Sequence, residues 1–245
     1  MSLVNSWEEQ GNFLFKYRGQ FPVLLFLLAV PFLFLTDMVN ETDKIIWNSV
    51  SVFVSIIGFL IRFYTIGTTP KGTSGRNTKK QIADFLNSVG IYSILRHPLY
   101  LGNYLIWIGI AIFTYNIYFI IILSLLFWLY YERIMFAEEK FLEKKFGEEY
   151  ITWSNRIPAF IPSFKNYTKT TFPLSFKSIL RREYAGILAT VIGFSFIDVV
   201  RIYVEKDIIS FTPVVLWVLI ISLILVFFLR SLKHYTNILT EKDRS

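Results

Sequence analysis

Six apolar runs constrain this chain more than any other feature: residues 21–36, 45–66, 99–113, 117–131, 184–204 and 211–229. A helix crossing the hydrocarbon core of a bilayer needs about 20 mostly apolar residues. Only helices and closed barrels satisfy their backbone polar groups there. The runs lack the alternation of a barrel strand, so they predict an all-α fold: a polytopic helical membrane protein with about six transmembrane helices. Composition agrees, at 54% hydrophobic residues and a mean hydropathy of +0.49. In the first run Pro22 can start the helix and Pro31 is placed to kink it. The third and fourth runs are joined only by Thr114-Tyr115-Asn116, which predicts an antiparallel helical hairpin.

The charges between the runs orient them. Segment 67–98 carries Lys71, Arg76, Lys79, Lys80 and Arg96 against Asp84, and 132–183 is also rich in lysine and arginine. The links 37–44 and 205–209 hold Asp37, Glu41, Asp43, Glu205 and Asp207 against Lys44 and Lys206. The positive-inside rule then puts the basic loops and both termini in the cytoplasm. The same rule accounts for the net charge of +7 without nucleic acid as a partner. With no cysteine, the chain has no disulfide, zinc–thiolate site or cysteine nucleophile. His97 and His234 are its only histidines and lie far apart, so no histidine-based metal site is expected and no metal ligands are assigned, although carboxylates alone could hold a hard cation. Glu8 and Glu9 precede the first apolar run and no small-residue cleavage site follows, which predicts no cleaved signal peptide. Composition divides the chain into an N-terminal segment with the first span (1–44), a membrane core (45–164), and a linker with a two-helix appendage (165–245).

Arg96-His97-Pro98-Leu99-Tyr100-Leu101-Gly102-Asn103 lies where a basic segment runs into an apolar helix. Pro98 suits the first helical position, because its missing N–H would be unpaired there anyway. A helix start is a ready anion site, and Arg96 and His97 add donors beside it. Tyr100, Asn103, Tyr104 and Trp107 follow at helical spacing as one stripe. An interfacial aromatic belt accounts for Trp107, but an asparagine amide facing lipid needs a partner. Gly102 and Gly109 suit close helix packing. The hairpin returns the segment after residue 131 to the same membrane face. There Glu132, Phe136, Glu139 and Glu143 share one helix face, and Gly147 is a plausible stop. Segment 67–77 is rich in glycine and hydroxyls but lacks phosphate-loop spacing. It reads as a flexible loop, or else as a lid using Arg76 and Asn77. Arg62 is expected to snorkel to the interface, Asp198 and Arg201 to pair or lie at an interface, and His234 to be solvated.

Gly90-Ile91-Tyr92-Ser93-Ile94-Leu95-Arg96-His97-Pro98-Leu99-Tyr100-Leu101-Gly102 resembles the G-x-Y-x-x-x-R-H-P-x-Y-x-G signature of isoprenylcysteine carboxyl methyltransferases and related phospholipid methyltransferases. A second block, Glu138-Glu139 through Leu142 and Phe146-Gly147 to Tyr150, then Pro158 and Pro162, resembles that family's E-E-x-x-L-x-x-x-F-G-x-x-Y run and proline-containing tail. The resemblance covers roughly residues 50–164. It implies an integral membrane enzyme using S-adenosylmethionine from a pocket on the cytoplasmic face, with a membrane lipid or lipidated molecule as acceptor. It implies that Tyr92, Arg96, His97, Tyr100, Gly102, Asn103, Glu138 and Glu139 bind the cofactor, and that Arg96, His97 and Glu139 serve catalysis. Compared with the eukaryotic prenylcysteine enzymes, this chain has fewer spans before the signature and two more after it. The acceptor therefore stays open between a carboxylate and an amine. So do two other readings: an NADPH-dependent sterol or isoprenoid reductase, whose related motif usually has asparagine where Leu99 stands, and a non-catalytic membrane scaffold.

Overall fold

A computed structural model of the chain describes residues 2–19, 21–73, 81, 83–242 and 244. Arg76 and Asn77 lie outside the described residues. Eight α-helices account for most of the described chain: α1 (Leu3–Lys16), α2 (Phe21–Phe34), α3 (Glu41–Thr68), α4 (Pro98–Ile112), α5 (Ile117–Phe146), α6 (Glu148–Ser154), α7 (Phe176–Lys206) and α8 (Pro213–Tyr235). Among the described residues there is no strand. The helices α3, α5, α7 and α8 are long and apolar enough to cross a membrane, and α4 is a shorter apolar helix of 15 residues. The first apolar run forms α2, a helix of 14 residues with Pro31 inside it.

Capping sets most of the boundaries. Asn40, Asn116 and Ser175 each accept a backbone N–H from the first turn of α3, α5 and α7, which satisfies donors that helix starts leave unpaired. The hairpin turns at Tyr115, whose φ of 61° places it in the left-handed region. Its hydroxyl donates to Asn48 Oδ1 at 2.7 Å, and the Arg201 guanidinium lies 3.9 Å from its ring centroid. Gly147, at φ 54°, ends α5 and lets α6 leave in a new direction.

Small residues bring helices close. A Cβ on Gly58 would lie 2.6 Å from the Gly102 carbonyl oxygen, and one on Gly109 2.0 Å from Ser55 Oγ. These contacts seat α4 along α3. The same device seats α1 on α5, where a Cβ on Gly11 would meet the Arg133 carbonyl oxygen at 2.1 Å. The main apolar core lies among α2, α4, α5 and α7, around Leu33, Ile110, Phe119, Leu123 and Ile197. In contrast, α8 packs on α7 and turns Val214, Trp217, Ile224 and Phe227 outward. A spanning helix with so exposed an apolar face is suited to lipid.

Three sequence expectations change. The polar linker before the fifth span is shorter than composition suggests, because Ser175 caps α7 and the helix begins at Phe176. Arg62 does not snorkel: it is held inside the bundle by Glu183 and Asn103. Asp198 accepts hydrogen bonds from the Thr212 backbone and hydroxyl at 2.7 and 2.8 Å, which fixes the start of α8. Arg201 instead donates to the Phe113 carbonyl at 2.9 Å. The amphipathic helix α1 carries no sequence expectation of its own, and His234 is exposed as expected.

Candidate active site

The first motif starts in a short 3-10 turn, Gly90–Ser93, and continues into α4. Gly90, at φ 63°, donates its N–H to the Thr168 carbonyl at 2.8 Å. His97 precedes α4 and Pro98 opens it. The proline-containing tail runs back along this strip: Arg96 N–H donates to Pro158 O at 2.9 Å, His97 N–H to Ala159 O at 3.2 Å, and Ser163 N–H to Ile94 O at 2.9 Å. The Trp153 indole donates to the Tyr92 carbonyl at 3.2 Å. The two sequence blocks therefore brace each other through backbone bonds.

Their side chains meet as well. Glu139 Oε1 lies 2.8 Å from His97 Nε2, and Glu139 Oε2 lies 3.2 Å from Arg96 Nη1. Glu138 Oε2 is 3.6 Å from His97 Nδ1. The His97 and Tyr100 rings stack at 5.6 Å, and Tyr100 packs on Tyr131 at 4.9 Å. His97 is buried. Burial works against its charged form, but hydrogen bonds and negative charge from Glu138 and Glu139 outweigh that and raise its pKa. Tyr150 is also buried, and burial pushes its phenol up, with the Glu139 carboxylate adding to the effect.

These groups line a cavity of about 560 Å³, within the usual size range of small-molecule sites. Tyr92, Arg96, His97, Tyr100, Asn103, Glu138 and Glu139 all border it. Gly102 does not. It faces α3, where a Cβ would lie 2.5 Å from Arg62 Cγ and 2.9 Å from the Gly58 carbonyl oxygen. Its place is explained by packing. Glu132 and Glu143 also stand apart, paired with Arg133 and Lys140.

The cavity has a second wall that sequence reasoning missed. Arg62 on α3 donates through Nε and Nη2 to the two oxygens of Glu183 on α7, both at 2.7 Å. Its Nη1 donates to Asn103 Oδ1, and Asn103 Nδ2 donates to the Tyr131 hydroxyl at 3.2 Å. Glu183 is fully buried. The available signal was one of cost: Arg62 lies within the second apolar run and Glu183 abuts the fifth, and such charges need a partner.

Fold and site together define a polytopic helical membrane protein with a charged cavity walled by the hairpin α4–α5 and its neighbours. Residues 46–149 match the family described as phospholipid methyltransferase. The chain is 34% identical over 85 residues to the Saccharomyces cerevisiae protein named protein-S-isoprenylcysteine O-methyltransferase, a stretch covering 35% of this chain and 36% of that one. It is 36% identical over 78 residues to the cobalt-zinc-cadmium resistance protein CzcN of Cupriavidus metallidurans, covering 32% and 36%. A Tribolium castaneum protein-S-isoprenylcysteine O-methyltransferase is 24% identical over 158 residues, covering 64% of this chain and 56% of the relative. The chain thus spans little more than a third of the yeast and bacterial relatives. No solved structure matches it.

Proposed function

We infer that the protein is an integral membrane methyltransferase that moves a methyl group from S-adenosylmethionine to a lipid-embedded acceptor with a carboxylate or amine head. The observation that carries this reading is the convergence of Arg96 and His97 with Glu138 and Glu139 on one cavity, from two sequence blocks on opposite sides of a helical hairpin. Residues 46–149 support it by their family, and the basic loops support a cytoplasmic opening for the cavity.

The residues present fit this cofactor. Arg96 Nε is buried without a hydrogen-bond partner, and a buried unpaired donor marks a place where an acceptor group belongs. A ligand carboxylate suits that donor, ribose hydroxyls or an amino group suit Glu138 or Glu139, and a sulfonium suits the face of Tyr100. When bound, the cofactor supplies an electrophilic methyl group for in-line displacement. The protein's contribution is placement, which can lower such a barrier substantially. Glu139 holds Arg96 and His97 in fixed register. His97 faces a carboxylate from each ring nitrogen, and their hydrogen bonds and charge raise its pKa, so its surroundings favour the charged form, which positions the acids. The charged form makes a poor general base, and a carboxylate acceptor needs none.

Calorimetry on the purified protein tests this reading. S-adenosylhomocysteine should bind, and Arg96→Ala or Glu139→Ala should weaken binding by about tenfold or more, the worth of one charge-assisted contact. Wild-type protein that binds neither it nor S-adenosylmethionine at micromolar concentration would overturn it.

A further inference from the structure

The cavity has a further wall that no sequence motif marks. Phe15, Arg18 and Gly19 border it from the end of α1, outside the family-matched residues 46–149. Other groups build the seat of α1 on α5. Gly11 lies against the Arg133 backbone, and the Arg133 guanidinium sits 3.6 Å from the Trp7 ring centroid. Lys144 Nζ meets Glu8 at 2.6 Å, and the Tyr130 hydroxyl donates to the Leu14 carbonyl at 3.0 Å. Phe15 is buried in one apolar cluster with Tyr100, Tyr131 and Ile134. The Arg18 guanidinium lies 3.8 Å from the Phe15 ring centroid, and its charge reaches the phenols of Tyr100 and Tyr131. A guanidinium that meets a ring through its face keeps its N–H donors in its own plane, directed past the ring.

Charge points the same way. Among the described residues the cavity is bordered by Arg18, Arg62, Arg96 and Arg182 against Glu138, Glu139 and Glu183. Glu183 already holds Arg62, Glu139 holds Arg96, and Glu138 faces His97. The wall thus carries more guanidinium than carboxylate, and a bound anionic group brings it towards neutrality. In a cavity poorer in water than the bulk, that balance is worth more than at a surface.

We propose that Arg18 is a further binding residue of this site, supplied from α1, which holds an anionic oxygen group, carboxylate or phosphate, beside Tyr100 and Tyr131. Its planar fork presents paired donors to two such oxygens at once. Two ligands carry such a group: the cofactor in its amino-acid tail, and an acceptor with an acidic head. The proposal rests on the methyltransferase reading for both, but it is tested by binding alone.

Calorimetry on the full chain in dodecyl maltoside, an uncharged detergent, compares wild type, Arg18→Gln and Arg18→Lys. One pair of probes is S-adenosylhomocysteine and its decarboxylated analogue; the other is oleate and oleyl alcohol. If Arg18 holds the cofactor's carboxylate, Arg18→Gln weakens S-adenosylhomocysteine by about tenfold or more and its analogue by less than about twofold. If Arg18 holds an acceptor's head, the same contrast falls between oleate and oleyl alcohol instead. In either case Arg18→Lys recovers part of the loss, and the thermal midpoint of Arg18→Gln stays that of wild type, because the seat of α1 does not use this side chain. Unchanged affinity for both anions, equal weakening of the charged and neutral members of a pair, or an Arg18→Gln chain that no longer unfolds cooperatively would each overturn the proposal. Wild type that binds oleate but not S-adenosylhomocysteine sinks the methyltransferase reading alone, and the oleate pair then decides Arg18. Wild type that binds neither anion overturns both.

Discussion

His97 is buried between two carboxylates, and this sets a pH dependence of known sign. Its pKa is raised from the ordinary 6.5 by hydrogen bonds and charge that outweigh burial. A raised pKa means that the stabilisation is fully present below 6.5 and is lost as pH climbs through the folded-state value. Thermal unfolding of the wild type should therefore lose midpoint as pH rises above about 6.5, and His97→Gln should flatten that loss. A wild-type profile identical to that of His97→Gln would contradict the geometry. Gly102 makes a different kind of claim, because resemblance assigns it to the cofactor and packing assigns it to Arg62. Gly102→Ala should cost about 1–3 kcal/mol of stability through overpacking and leave the chemical groups on the cavity wall unchanged. A large loss of S-adenosylhomocysteine affinity with unaltered thermal stability would restore the ligand role. The motif residues themselves were readable, since Arg96, His97, Glu138 and Glu139 are polar groups at the edge of apolar runs. What sequence could not supply was direction. A glycine six residues past Arg96 looks the same whether it faces a ligand or a neighbouring helix.

Helices and turns were legible where local chemistry decides them. The turn Thr114–Asn116 folds as its length requires, and Asn116 supplies the cap of α5 while its amide donates to Phe32 O at 3.2 Å and Thr36 Oγ1 at 3.0 Å. One side chain thus joins the hairpin to the end of α2. Asn116→Ala should destabilise the protein by about 1–3 kcal/mol, the sum of a lost cap and unpaired buried groups. Detergent-solubilised thermal unfolding would show it, whereas a change within about 0.5 kcal/mol, as at an ordinary surface site, would refute the linking role. The start of α7 was not legible, because Phe176–Arg182 is too polar to continue an apolar run. Its N-terminal turn is stabilised by Ser175 and by the tail residue Glu241, which accepts from the hydroxyls of Ser175 and Ser178. Contacts across 63 and 66 residues leave no periodic trace.

At the level of the whole molecule, the 165–245 segment read as an appendage because composition changes before it, and composition reports solvent, not neighbours. Packing connects it to the core at both ends of α7. Near one end Arg62 meets Glu183, and near the other Lys44 meets Glu205 at 3.0 Å while Arg201 reaches Phe113 and Asn48. These are unlike in energy. Lys44 and Glu205 keep some solvent, so their pair is worth little by itself. Glu183 is enclosed, and removing it strands a guanidinium inside the bundle. Glu183→Ala should therefore cost about 3–5 kcal/mol, while Arg62→Met combined with Glu183→Met should recover most of that loss, because a packed apolar pair avoids both desolvation penalties. The double variant separates two roles of the pair. If it regains wild-type thermal stability and binds S-adenosylhomocysteine as wild type does, the charges serve to hold α7 against α3. If it regains stability but not that binding, the pair also shapes the cavity that both residues border.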